Sequence, residues 1–414
     1  MPLSQPPAPS FDQALDTVCQ RLRGSMTELL AEAKAPMESP TELSRHLKLN
    51  KTLAWRASKI VTAVHPRAVL EFLPAGGSID ILLDACQKAG SSPQAIAQTR
   101  DALAALSEVV ETHAGDKATF DLILASDTTG GGTAALMEGR RLAFMGNSAT
   151  WGIQGQTRFA ANFIAPAAGE AGERGMLDFA TLGGLIGVRR LRADVSVPLF
   201  MRHTYNDDGS DGRKAFGETI DVPGAGPLDL PLIREFCTEN NASLTACPLS
   251  GSAIRYDLLP GPIGNTAQTN WVFGWCDRAT VSKFRDPVNR YGECSVKNFV
   301  PVETLICDLF IHRGWRLTSL PMAMLTGQLG GEFHFPHWRE RDRLPLPEVV
   351  ESLGEFPPSP ATPNIPRYTE MVRTVHARCG WDPADFVGYR LIIKHPPIPT
   401  TATMRWPLVD PAGT

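Results

Sequence analysis

Three stretches of this 414-residue chain hold residue types at spacings that could do chemistry. Between 330 and 338, Glu332 and His334 fall on one face of a strand, and Pro336 bends the chain so that His337 can converge on them. Two imidazoles and a carboxylate suit zinc or iron. The neighbouring Phe333, Phe335 and Trp338 favour the plainer reading of histidines packed among aromatics, so the three stand only as candidate ligands and no metal or cofactor is assigned. The second stretch, 120–141, runs from an apolar segment through Gly130-Gly131-Gly132 into a helical pattern. Such a loop can cradle a phosphate at a helix start, but it lacks the Lys-Ser/Thr of a P-loop and the spacing of a dinucleotide fingerprint. A hinge is the favoured reading. The third is a basic helical stretch that holds Lys51, Trp55, Arg56 and Lys59. Lysines there attract phosphates, Arg56 has the donors for a guanine edge, and Trp55 can meet a thymine methyl.

Other groups carry less. Ser250 and Ser252 do not form a Gly-x-Ser-x-Gly elbow. Cys237 and Cys247 have no histidine at a catalytic spacing and are read as core cysteines. Arg189, Arg190 and Arg192 alternate with apolar residues, which favours pairing with acids across a sheet over a nucleic-acid surface. The late tryptophans are read as core anchors.

The elements that position these groups follow from patterning. Phe11, Leu15, Val18, Cys19, Leu22, Met26, Leu29 and Leu30 recur at helical spacing behind a Ser10/Gln13 capping box. Ser91-Ser92-Pro93-Gln94 caps a second long helix. The patterns are helical up to residue 125. Beyond it glycine and proline punctuate short apolar runs, such as 141–166, 194–205, 296–314 and 386–397, which suggest strands. Helices are expected between them at 230–240 and 365–379, and a connecting loop over 344–366. The expected class is α+β: a disordered lead-in at 1–9, an all-helical domain at 10–125, and a larger strand-rich α+β region at 126–414.

Composition sets outer limits. Hydrophobic residues make 43% and charged residues 20%, enough for ordinary cores. The net charge of −4 rules out a globally basic nucleic-acid binder, so any such surface is local. No apolar run reaches membrane length, and the start lacks a signal-peptide pattern. Eight cysteines without a Cys-x-x-Cys pair point to reduced thiols, and a cytoplasmic protein is expected.

The densest signal lies at 39–61. Ser39, Pro40 and Glu42 open a helix that buries Leu43 and Leu47; Lys48 and Leu49 make a short turn; Asn50 caps a second helix running to Val61. This segment resembles the recognition segment of bacterial helix-turn-helix transcription regulators of the IclR-like, winged-helix type. The resemblance covers about two dozen residues. It implies an inner set of Leu43, Ser44, Leu47, Leu49, Ala54 and Ala57, and an outer, DNA-facing set of Asn50, Lys51, Thr52, Trp55, Arg56 and Lys59. The family usually has glycine in the turn where this chain has Lys48, a position that often needs a positive φ. Between Thr41 and Arg67 stand six basic residues and one acid, a local excess of five positive charges. The expected function is a DNA-binding transcriptional regulator, a homodimer by the family's habit, whose C-terminal part senses a small-molecule effector or mediates self-association. The alternatives are an enzyme with the helical bundle as scaffold, less favoured because its best residues are the glycine loop and the Glu332/His334/His337 cluster, and a structural or assembly protein.

Overall fold

The computed structural model describes residues 10–74, 76–126, 132–202, 218–219, 231–238, 244–248, 254–287, 290–315, 317, 319–327 and 342–411. The chain divides into two compact units, Met1–Ala135 and Leu136–Thr414. The expected lead-in at 1–9, most of the glycine loop and the Glu332/His334/His337 cluster lie outside the described residues, as do Ser250 and Ser252.

The first unit is helical: α1 Phe11–Glu32, α2 Pro40–Leu47, α3 Lys51–Val61, a 3-10 turn Pro66–Ala68, α4 Val69–Phe72, α5 Gly76–Lys88, α6 Pro93–His113 and α7 Lys117–Ser126. The local hydrogen bonds that start these helices are in place. Ser10 and Gln13 form the reciprocal capping box, and Ser92 accepts from the Ala95 N–H. The apolar stripe of α1 (Leu15, Cys19, Leu22, Met26, Leu29 and Leu30) packs with Leu43, Leu53, Ile60, Leu82 and Leu106 in one core. Burial pushes the Cys19 and Cys86 thiols up to about 12.

α8 Gly132–Trp151 begins in the last residues of the first unit and continues into the second, where it is followed by β1 Ile153–Pro166, α9 Gly169–Glu173, β2 Met176–Arg190, β3 Val197–Arg202, β4 Glu218–Thr219, β5 Leu244–Pro248, β6 Ile254–Leu258, β7 Thr269–Ser282, β8 Tyr291–Asn298, β9 Val302–His312, β10 Met322–Gly327, β11 Glu351–Glu355, α10 Tyr368–Cys379, β12 Phe386–Lys394 and β13 Thr400–Pro407. Among the described residues a seven-stranded sheet runs β11-β12-β9-β1-β2-β7-β4. Its one parallel pair is β1 with β9. α10 covers one face, burying Met371, Val372 and Val375 on Phe159, Phe163 and Phe310. The sheet β10-β13-β8 covers part of the other through Leu325, Met404 and Trp406. A third sheet, β3-β6-β5, packs Val197, Tyr256 and Leu258 against Trp271 and Phe273. Cover on both faces explains why β1 and β2 are buried almost without alternation.

The class is α+β, with three local departures from expectation. The run 141–166 is half helix: α8 continues to Trp151, ends at Gly152 with φ +69, and only then becomes β1. Residues 230–240 hold a 3-10 turn, Arg234–Phe236, rather than a helix. There Leu232 bridges to Phe273 and the Ile233 N–H donates to the Val272 carbonyl, so the sheet edge takes the backbone groups a helix would need. The expected loop at 344–366 contributes a short edge strand, β11, paired to β12. Edge position and mostly exposed residues explain its weak pattern.

Candidate nucleic-acid interface

α2 and α3 form a tight helix pair. α2 starts on Ser39, whose Oγ accepts from the Glu42 N–H, and ends at Lys48 in the left-handed region, φ +55 and ψ +38. The turn is stapled through Ser44: its carbonyl accepts from the Lys48 and Leu49 N–H groups, and its hydroxyl donates to the Leu49 carbonyl at 2.7 Å. Asn50 Oδ1 then accepts from the Leu53 N–H at 2.8 Å and starts α3. Ser58 on α3 donates to the Met37 carbonyl at 2.6 Å, tying it to the segment that enters α2. Leu43, Leu47, Leu49, Leu53, Ala54, Ala57 and Ile60 are buried, and Ser44 is half-buried.

The other face of α3 is open. Asn50, Lys51, Thr52 and Lys59 are exposed, and Trp55 keeps 42% of its surface in solvent. Trp55 is also braced, its indole meeting the Phe72 ring of α4 edge-on. Arg56 is held back: it is half-buried and its Nη1 donates to the Leu73 carbonyl at 3.4 Å. It therefore stands less free to reach a base edge than the sequence implies.

The local charge also needs revision. Arg67 bonds Asp12 at 2.8 Å and Asp16 at 2.5 Å, and these carboxylates, Asp16 first, raise its already high pKa. It is a tie between the 3-10 turn and α1 rather than part of an outer field. Arg45, Lys48, Lys51 and Lys59 remain exposed, with no ion pair among the described residues. After α3 the chain is helical where a wing would need strands: the described part of this unit contains none. Sequence reasoning missed Phe72 and Leu73. They follow a 3-10 turn with no periodicity to mark them, yet they set the posture of Trp55 and Arg56.

The remaining candidates disperse. Among the described residues no group of three or more His, Cys, Asp or Glu could hold a metal ion. No disulfide joins any of the eight cysteines; Cys237 and Cys247 are half-buried rather than core, and Cys237 Sγ lies 3.3 Å from the Val272 carbonyl. Among the described residues, Arg189 and Arg190 of β2 pair with no acid across the sheet. Arg189 donates to Asn265 Oδ1 at 2.8 Å, buried Arg190 to the Leu259 carbonyl, and exposed Arg192, in the turn after β2, lies 4.0 Å from Asp194 in the same turn. Trp271 and Trp406 are core anchors.

A buried network that sequence reasoning did not single out lies under α10. Asp308 on β9 takes Arg390 Nε and Nη2 at 2.8 and 2.6 Å and the Tyr368 hydroxyl at 2.7 Å. Arg390 Nη2 also donates to the Pro360 carbonyl at 2.7 Å. Its fully satisfied geometry reads as a clamp holding α10 and the 360 segment onto the sheet.

No helix among the described residues is long and apolar enough to cross a membrane. Comparison of the chain with known protein families, curated proteins and solved structures gave no match.

Proposed function

We propose that this chain is a DNA-binding transcriptional regulator. Its α2–α3 pair would act as a helix-turn-helix, and its strand-rich unit would sense a small-molecule effector or mediate self-association. The observation that carries the reading is the outer face of α3: Lys51, Thr52, Trp55 and Lys59 stand exposed on a helix whose opposite face is fully engaged in the core. Lys51 and Lys59, with Arg45 and Lys48 beside them, supply phosphate attraction; Thr52 and Trp55 supply polar and apolar contact to base edges. One such helix reads few bases, so a homodimer with two recognition helices about one DNA turn apart belongs to the proposal, as does a cytoplasmic setting.

The test is selection of fragments from random duplex DNA by the purified full-length protein at two salt concentrations, followed by gel shift on the enriched sequence. Enrichment of a palindrome supports regulator and dimer together. Absence of any duplex binding at low salt ends the proposal.

A further inference from the structure

Beside the start of α10 the strand-rich unit holds a cavity of about 200 Å³. Ile186 of β2, Phe236 of the 3-10 turn and Met371 of α10 give it an apolar lining and belong to one core. The sheet is interrupted at this point. β2 and β7 pair up to Leu185 with Trp271 and resume at Val188 with Thr269, so Ile186 and Gly187 bulge opposite Asn270. Gly187 takes φ +67 there, and its N–H donates to Asn270 Oδ1 at 2.8 Å. The Asn270 side chain thus replaces a ladder bond and is fixed by it, which leaves Nδ2 to donate elsewhere.

Thr238 lines the cavity with Asn270, and both are half-buried. The Thr238 N–H donates to the Asn270 carbonyl at 3.0 Å, and Thr238 Oγ1 accepts from the Asn270 N–H at 2.7 Å. Neither bond uses the hydroxyl proton of Thr238. Arg367 forms another wall. It is the N-cap of α10 at φ +57, without a side-chain cap, and its guanidinium lies over the Phe236 ring, 4.7 Å from the centroid. Nε and Nη2 bond Glu370 at 2.9 Å, and Nη1 donates to the Glu235 carbonyl at 3.0 Å; a guanidinium with five N–H donors is not exhausted by these bonds. The carboxylate of Glu235, also in the lining, accepts from the Thr374 hydroxyl at 3.2 Å, further along α10. The polar groups left for a ligand are therefore mainly donors, at a helix start that favours negative charge.

We propose that this cavity binds a small organic monocarboxylate with an apolar tail. The carboxylate accepts from Asn270 Nδ2 and the Thr238 hydroxyl, with Arg367 as the nearby cation, and the tail packs on Ile186, Phe236 and Met371. The volume lies below the roughly 300–1,000 Å³ that hold drug-sized ligands, which limits the tail to a short branched chain or a single ring. The site gives a place and a ligand class to the effector sensing proposed for the strand-rich unit, and it rests on that reading.

The test is isothermal titration of full-length protein without DNA, so that its outcome and that of the DNA selection are separate. Isovalerate and benzoate are the probes, at constant ionic strength, with acetate, isovaleramide and benzamide as controls. At least one probe should bind saturably, with acetate and the matching amide about tenfold weaker or more. Asn270→Asp keeps an acceptor for the Gly187 N–H but replaces the Nδ2 donors by a negative charge, and should abolish binding. Thr238→Val should weaken it about tenfold, while Thr238→Ser should keep it. Thermal unfolding checks that each variant folds; if Asn270→Asp does not, the Thr238 pair carries the test. No saturable binding of either probe, equal affinity for the matching amide, or unchanged affinity in folded Asn270→Asp or in Thr238→Val overturns the proposal.

Discussion

The indole of Trp55 stands edge-on to the ring of Phe72, centroids 5.4 Å apart and planes at 87°. The contact gives an exposed side chain a fixed posture, a structural role that substitution can separate from the proposed DNA contact. Trp55→Ala should cost about 1 kcal/mol through the lost aromatic pair and also weaken duplex binding. Trp55→Phe should keep most of the stability. Thermal unfolding and gel shift on both variants check this; full DNA affinity in Trp55→Ala would leave the ring a packing residue only.

Lys48 occupies a left-handed conformation without the freedom of glycine. Lys48→Gly should stabilise the helical unit by about 1 kcal/mol, because a Cβ there strains the turn. Chemical denaturation followed by helical ellipticity is the measurement. A destabilised variant would mean that the loss of unfolded-chain restriction outweighs the relief.

The cations on and around α3 should not contribute equally to DNA binding. Lys51→Ala and Lys59→Ala are each expected to make the salt dependence of binding shallower by about one phosphate contact. Arg67→Ala should leave that slope unchanged while lowering stability, since its guanidinium is engaged by Asp12 and Asp16. Arg56→Ala should fall between, its guanidinium being drawn to the Leu73 carbonyl. Titrations at several salt concentrations sort the four variants, and a slope change confined to Arg67→Ala would refute the assignment.

His376 gives the strand-rich unit an acid sensitivity of predictable sign. It is 1% exposed and ringed by Phe163, Phe310 and Phe386. Its Nδ1 sits 2.9 Å from the Val372 carbonyl, while Nε2 has no partner among the described residues. Burial holds its pKa below the ordinary histidine value. The unfolded chain therefore takes up the proton first. The stability this group contributes is complete above pH about 6.5 and is lost as the pH falls below it toward the folded pKa. The Tm should drop between pH 7 and pH 5, and less so in His376→Phe. An identical drop in the variant would place the sensitivity elsewhere.

Breaking the Asp308–Arg390 pair should be severe. Arg390→Met leaves a fully buried carboxylate with only the Tyr368 hydroxyl, at a cost of about 3–5 kcal/mol. Asp308→Asn in the same background should recover part of it by removing the stranded charge. Urea denaturation of the single and double variants measures the difference, and additive losses would show that the two residues are not coupled.

What the sequence determined by itself was local. Ser10 with Gln13, Ser39 with Glu42, Asn50 with Leu53 and Ser92 with Ala95 meet across three residues, so the helix starts and the short turn between α2 and α3 were readable from spacing. Leu43 and Leu47, four apart, followed from helical spacing for the same reason, whereas Leu49, Ala54 and Ala57 were expected inside only through the resemblance to helix-turn-helix regulators. What only the tertiary structure decided was which polar groups are already taken. Arg67 reaches back 51 residues to Asp16, and Arg390 reaches 82 to Asp308. Leu73 claims Arg56 from across a 3-10 turn, and the edge of β7 turns Leu232 and Ile233 away from helix. Such pairings depend on which elements pack together, and burial sets their strength. Spacing along the chain encodes neither.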